Sequence, residues 1–315
     1  MKNLIITADD FGVFPSINQG VKEAVLAGKV NSVAALSNHS DSVTNVKELI
    51  SEVGNKAEIG CHLTISSGKP LTIQNNNAFM TGNYFKSFGE LKVTAIEKQT
   101  EELEKELTAQ VQLFLDSGIP ITNLSCHHST LSFTQGLFDV YLKIAEKFNL
   151  PIRSINVIPE KKDNTYRTVL ELMLWDDLPN SKLAEIKRFG KEITHYLKHN
   201  RPMIKTPGAL ESRHYGPMPL VDIWDVSIPR RVKQKHKDII NFIEEFKTSE
   251  FMAAELMLHL IKDDIYLYEL DEEIDYPGIN KKYFDSRKVE FESIKSFDFN
   301  QYSSIIKTGS WKELV

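Results

Sequence analysis

Four times along this chain a short apolar run closes on an acid or a histidine. Residues 4–7 (Leu-Ile-Ile-Thr) lead through Ala8 into Asp9-Asp10, and residues 58–63 carry Cys61-His62. Residues 121–126 stop at His127, and residues 251–258 stop at His259. Short apolar runs of this kind, bounded by polar and turn-forming residues, read as buried strands. Residues 31–37 and 151–155 read as two more strands without such an ending.

Helical patterns lie between them. Ile17, Val21, Ala24 and Val25 mark a helix from about residue 16 to Gly28, and a second covers 43–53. The clearest spans 94–115, with Leu103, Leu107, Val111 and Phe114 on one face and Gly118 and Pro120 beyond it. Others are expected at 137–148, 165–175 and 181–199, with one or two more carrying Phe291, Ile294, Phe297 and Ile305. Strand alternating with helix predicts parallel strands covered by helices. Residues 66–92, rich in Ser, Gly, Asn and Pro, read as a long loop, and loops of that length are more often functional than idle.

Composition excludes several classes. Hydrophobic residues make up 41% and charged residues 26% of 315, enough for a sizeable core. A net charge of −5 gives no support for nucleic-acid binding. The basic run 230–237 reads as the solvated face of a helix whose buried side carries Ile239, Ile240, Phe242 and Ile243; a sugar-phosphate or acidic-partner site is the alternative. Neither a signal peptide nor a membrane span is expected, which points to a cytoplasmic protein. Cys61 and Cys126 make no disulfide framework, and each reads as a small buried residue or, less readily, a thiolate ligand.

The C-terminal edge of a parallel sheet is where sites assemble, because every strand delivers its last residues to one face. Asp9, Asp10, His62, His127 and His259 all fall there. Taken singly, an Asp pair caps a helix and a lone histidine is an ordinary core or surface residue. Together they form a suitable set for a divalent metal: two imidazoles and a carboxylate bind it, and open positions remain. A second carboxylate can then take a proton from water, and a further histidine can protonate a leaving amine. That set describes amide hydrolysis.

Ala8-Asp9-Asp10-Phe11-Gly12 resembles the opening signature of the YdjC-like carbohydrate deacetylases. Asn31-Ser32-Val33 with Asn38, Gly60-Cys61-His62-Leu63-Thr64, Leu124-Ser125-Cys126-His127 and Glu255-Leu256-Met257-Leu258-His259 follow in the family's order. Pro151-Ile152-Arg153 and Ser286-Arg287-Lys288-Val289-Glu290 also resemble family positions, so the likeness runs almost end to end. It implies an α/β fold, a deviant TIM-like (β/α) barrel with parallel strands and covering helices, as a single domain over 1–315. It implies Asp10, His62 and His127 as ligands of a divalent metal (Mg or Zn). Asp9 becomes the general base, and His259 the acid or oxyanion-side partner. Arg153 orients the base or binds substrate, while His214 and Tyr215 line the pocket or simply form a turn.

The implied reaction removes acetyl from an N-acetylated sugar, a chitobiose-like mono- or oligosaccharide that is 6-phosphorylated in one form. A homodimer with no nucleic-acid or membrane partner is implied as well. Two readings compete: another metal-dependent hydrolase acting on a sugar phosphate or disaccharide phosphate, and a catalytically weakened sugar-binding relative. Ser125 stands where the family usually has Asp, Ser129 where it has a second His, and Leu260 where it has Pro. These departures bear on substrate and supporting contacts more than on the ligands.

Overall fold

Parallel pairing around a central first strand organises the protein. The computed structural model describes residues 1–74, 78–156, 180–211, 227–262 and 281–314. Strand β1 (Lys2–Phe11) is followed by helix α1 (Pro15–Leu26), β2 (Ser32–Ala35), α2 (Ser42–Val53) and β3 (Glu58–Leu63). A hairpin of β4 (Met80–Thr81) and β5 (Tyr84–Phe85) leads to α3 (Val93–Ile96), α4 (Thr100–Asp116), β6 (Ile121–Cys126) and α5 (Gln135–Phe148). Then come α6 (Asn180–Asn200), β7 (Ala209–Glu211), α7 (Ile228–Thr248), β8 (Ala253–His259), α8 (Lys281–Ser296) and β9 (Ile306–Thr308).

The large sheet runs β6-β3-β2-β1-β8-β7, with every neighbouring pair parallel. β1 meets β8 along Asn3↔Ala253 to Asp9↔His259. β9 pairs with Lys2–Leu4, and β2 takes over from Thr7. The sheet curls until its edges meet through residues 151–156. Leu124 N–H donates to Pro151 O and Arg153 N–H donates to Leu124 O, Ile152 N–H donates to Lys205 O, and Leu210 N–H donates to Asn156 O. This is a deviant TIM-like barrel. The expected strand 151–155 is therefore a seam with a single bridge, Leu124↔Ile152.

Local chemistry explains most boundaries. Pro15 opens α1, where its missing N–H costs nothing, and Ile17, Val21, Ala24 and Val25 are buried on one face. Thr134 caps α5 by accepting from Leu137 N–H, and Asn149, in the left-handed region, ends it. The helix expected at 94–115 is instead broken at Gln99 (φ −124°, ψ 37°). The seam of Leu103, Leu107, Val111 and Phe114 is buried only from α4 onwards, while Val93 and Ile96 are buried from α3. The expected helix at 165–175 lies outside the described residues. The short strands β7 and β9 escape a periodicity reading because three residues show no period.

The basic run 230–237 departs from its expected solvated face. Arg231 and Lys235 of α7 are buried, with Lys235 Nζ 3.9 Å from the equally buried Glu211, whereas Ile240 is exposed. Long aliphatic stems let basic residues cover apolar surface while their charges meet a partner.

The long loop after β3 is tied down by α4. The buried Glu106 carboxylate accepts Leu71 N–H at 3.0 Å, Thr72 N–H at 2.7 Å and the Thr72 hydroxyl at 2.9 Å. One turn on, Gln110 accepts Thr64 N–H at 3.0 Å and donates to Thr64 O at 2.9 Å. An unmet buried donor costs about 1–3 kcal/mol, so Glu106→Ala is expected to destabilise the protein by about 3 kcal/mol in urea unfolding, and Glu106→Gln by less.

Candidate active site

Neighbouring residues of a regular strand point to opposite faces, so Asp9 and Asp10 should not share a site. Two local features bring them together. Asp10 has φ 65°, and the β1–β2 register slips between Ala8 and Phe11. A bulge of this kind re-aims a side chain. Gly12 completes the turn at φ 99°, where a Cβ would meet Ser42 Oγ at 2.8 Å. As a result both carboxylates are 1% exposed and face the same imidazoles. His62 Nε2 lies 3.8 Å from Asp9 Oδ2 and 3.7 Å from Asp10 Oδ1. His259 Nε2 lies 4.0 Å from Asp9 Oδ2 and 3.8 Å from Asp10 Oδ2.

His127 closes the group from the end of β6, its Nδ1 3.0 Å from Asp10 Oδ1. One donor atom each from Asp10, His62 and His127 falls within 4.8 Å of the others. Asp10 Oδ1 is buried yet receives no well-aligned hydrogen bond, as suits an oxygen facing a cation. His62 Nδ1 hydrogen-bonds Ser125 Oγ at 2.6 Å, which fixes the ring and leaves Nε2 directed at the acids. Ser125 thus fills the supporting position where the family usually has Asp.

Electrostatics agree with this donor set. Burial, reinforced by the charge of His127, holds His62 well below its ordinary pKa and so keeps it neutral. Burial alone would raise the Asp10 carboxyl, but His127, His259 and Arg287 outweigh it and hold Asp10 well below its usual range. Among the described residues, buried Asp9 and Glu255 meet Arg153, and buried Asp10 meets Arg287. A neutral His62 imidazole beside an ionised Asp10 carboxylate fits a divalent cation.

Arg153, from the seam, binds Asp9 with two hydrogen bonds of 2.6 and 2.7 Å and holds Glu255 with its other edge at 2.8–3.2 Å. Burial opposes its charge, yet the two carboxylates raise its pKa well above the ordinary value. Arg287 of α8 reaches Asp10 Oδ2 at 2.9 Å. Glu290, one turn on, accepts the His259 main-chain N–H at 2.7 Å. The sequence reading gave Glu255, Arg287 and Glu290 no role. A signal existed for Glu255: it lies two positions from Met257 and four from His259, on the same strand face.

His214 and Tyr215 lie outside the described residues, as do Trp175 and Trp224. Trp311 is buried and donates to Ser32 Oγ, a core role. His39 instead approaches the site, with Nε2 2.9 Å from Ser67 Oγ. Burial pushes the thiols of Cys61 and Cys126 up to about 12 and about 11, so neither is a ready thiolate.

The YdjC-like protein family model matches residues 3–303. The chain belongs to this family. A carbohydrate deacetylase of Clostridium beijerinckii is 30% identical to this YdjC-like protein over 252 residues, covering 77% of this chain and 95% of that one. Carbohydrate deacetylases of Thermoanaerobacter pseudethanolicus (30% identity, 51% of this chain) and Listeria innocua (33%, 48%) align over 64% and 60% of their own lengths, under two thirds of each. A crystal structure from Enterococcus faecalis, of a protein described as cleaving cellobiose-phosphate, superposes with a TM-score of 0.66 at 21% identity. It covers 100% of this chain and 99% of its own, and it shows the shared fold. Among the described residues no helix is long and apolar enough to cross a membrane.

Two measurements follow from this geometry. Removing an outer partner of a metal-bound histidine costs roughly 10–100-fold in affinity, so Ser125→Ala is expected to weaken divalent-ion binding by that factor in calorimetry. Burial, with the His127 charge adding to it, lowers His39 to about 4, so its ring should remain neutral in an NMR titration between pH 6.5 and 5. Protonation near pH 6.5 would show the ring to be solvated instead.

Proposed function

We propose that this protein is a metal-dependent carbohydrate N-deacetylase acting on a chitobiose-like mono- or oligosaccharide, 6-phosphorylated in one form. The observation that carries the reading is the convergence of Asp9 and His259 on the Asp10–His62–His127 donor set. Relatives named carbohydrate deacetylases support the substrate class.

In this reading Asp10, His62 and His127 would hold a divalent ion, which when bound would polarise the acetyl carbonyl and acidify water. Two imidazoles beside one carboxylate favour zinc-like ions over magnesium on ligand softness. Asp9 accepts the proton of the attacking water. Arg153 donates to both Asp9 oxygens, which fixes the orientation of the carboxylate. His259, from the neighbouring strand, protonates the nitrogen as the C–N bond breaks, so acetate and a free amine leave. Glu290 fixes the main chain that carries His259.

Acetate release from N,N′-diacetylchitobiose, with metal-replete and chelated protein side by side, tests the proposal. Release should require the metal. Asp9→Asn should lower kcat by about 10²–10⁴-fold, the usual contribution of a general base, while the protein still binds metal. If metal-loaded protein releases no acetate but hydrolyses generic phosphate esters, the reaction is phosphoester cleavage instead.

A further inference from the structure

The same end of the barrel carries a run of rings that the proposed chemistry leaves unused. His128 and Ser129 both take left-handed backbone angles (φ 56° and 55°), and the turn lays the His128 ring against His127, centroids 3.8 Å apart and inclined by 34°. His128 Nδ1 hydrogen-bonds Ser66 Oγ at 2.9 Å. Phe88, from the long loop after β3, lies 5.0 Å from His128 at 53°, and Phe133 lies 5.8 Å from Phe88 at 60°. His128 is exposed, and the two phenylalanines are half-buried. Behind them, Phe88 and Phe133 line a small apolar recess with Ile65, Leu91 and Leu137.

Left-handed angles at two successive non-glycine residues cost free energy, and such strain persists where a site needs it. Partly exposed rings supported from behind offer stiff apolar surface with a polar edge. A pyranose has the complementary form, with an apolar C–H face and hydroxyls around its rim. The run begins in contact with His127, so a sugar lying on it would continue directly from the reacting centre. We propose that Phe88 and His128 are specificity-determining residues that seat the sugar ring adjoining the one whose acetamide is cleaved. This rests on the deacetylase reading. The loop carrying Phe88 is rooted by Glu106 and Gln110, which fixes the approach to the platform.

The test compares kcat/KM for N,N′-diacetylchitobiose and N-acetylglucosamine. Phe88→Ala should lower the disaccharide-to-monosaccharide ratio by about three- to tenfold, the range expected for one lost ring contact, and Phe88→Trp should restore it. Should Phe88→Ala fail to fold, His128→Gln is the second variant, with circular dichroism as the folding check. A ratio unchanged in the folded variants overturns the proposal. Calorimetric binding of both sugars to Asp9→Asn, with and without Phe88→Ala, separates this inference from the reaction. If the wild type releases no acetate, the deacetylase reading fails; a selective loss of disaccharide affinity still upholds the platform, and equal or absent binding sinks it.

Discussion

The Arg153 guanidinium ties the seam of the barrel to its two central strands. It lies on the seam that closes the barrel and binds Asp9 of β1 and Glu255 of β8 at once. Burying a guanidinium and two carboxylates is costly, and their mutual hydrogen bonds offset the lost hydration. The arrangement therefore makes barrel closure and the aim of Asp9 one event. A seam built from main-chain hydrogen bonds alone would close the sheet without orienting any carboxylate.

Around that anchor the two acids share His62 and His259 but differ in their other partners. Asp9 is directed by Arg153, whereas Asp10 meets Arg287 and His127. Two adjacent carboxylates can serve different roles only if their surroundings differ. The left-handed angle at Asp10 produces that difference by turning it out of the strand's alternation while keeping it at the same depth. Local strain of this kind is tolerated because β2, β8 and the Gly12 turn determine the backbone on every side.

Much of this was legible in the sequence. The strands at 58–63 and 121–126 were readable to the residue, because apolar runs there meet turn signals at both ends. Asp9, Asp10, His62, His127 and His259 were readable because they terminate strands, and a parallel sheet gathers such ends. Less was readable where the outcome depends on distant partners. Nothing local distinguishes the seam at 151–156 from a strand. Lys235 looks like a solvated lysine until Glu211 is placed opposite it. Arg287 and Glu290 sit on a helix whose docking, not its pattern, brings them to Asp10 and His259. The bulge at Asp10 was invisible because a strand's period says nothing of where it slips.

The pairing of β1 has a consequence for synthesis. Asn3 pairs with Ala253, and Lys2 with Ile306, so β1 has no partner on β8 or β9 until the distant ends of these pairings have been made. Such non-local pairing closes slowly, and an open parallel edge invites association with other chains. A chain cut short before β8 would hold β1 half-paired, with Asp9 lacking its neighbour on that strand. Until β8 is made, β1 therefore presents an open edge of the kind through which partly folded chains associate.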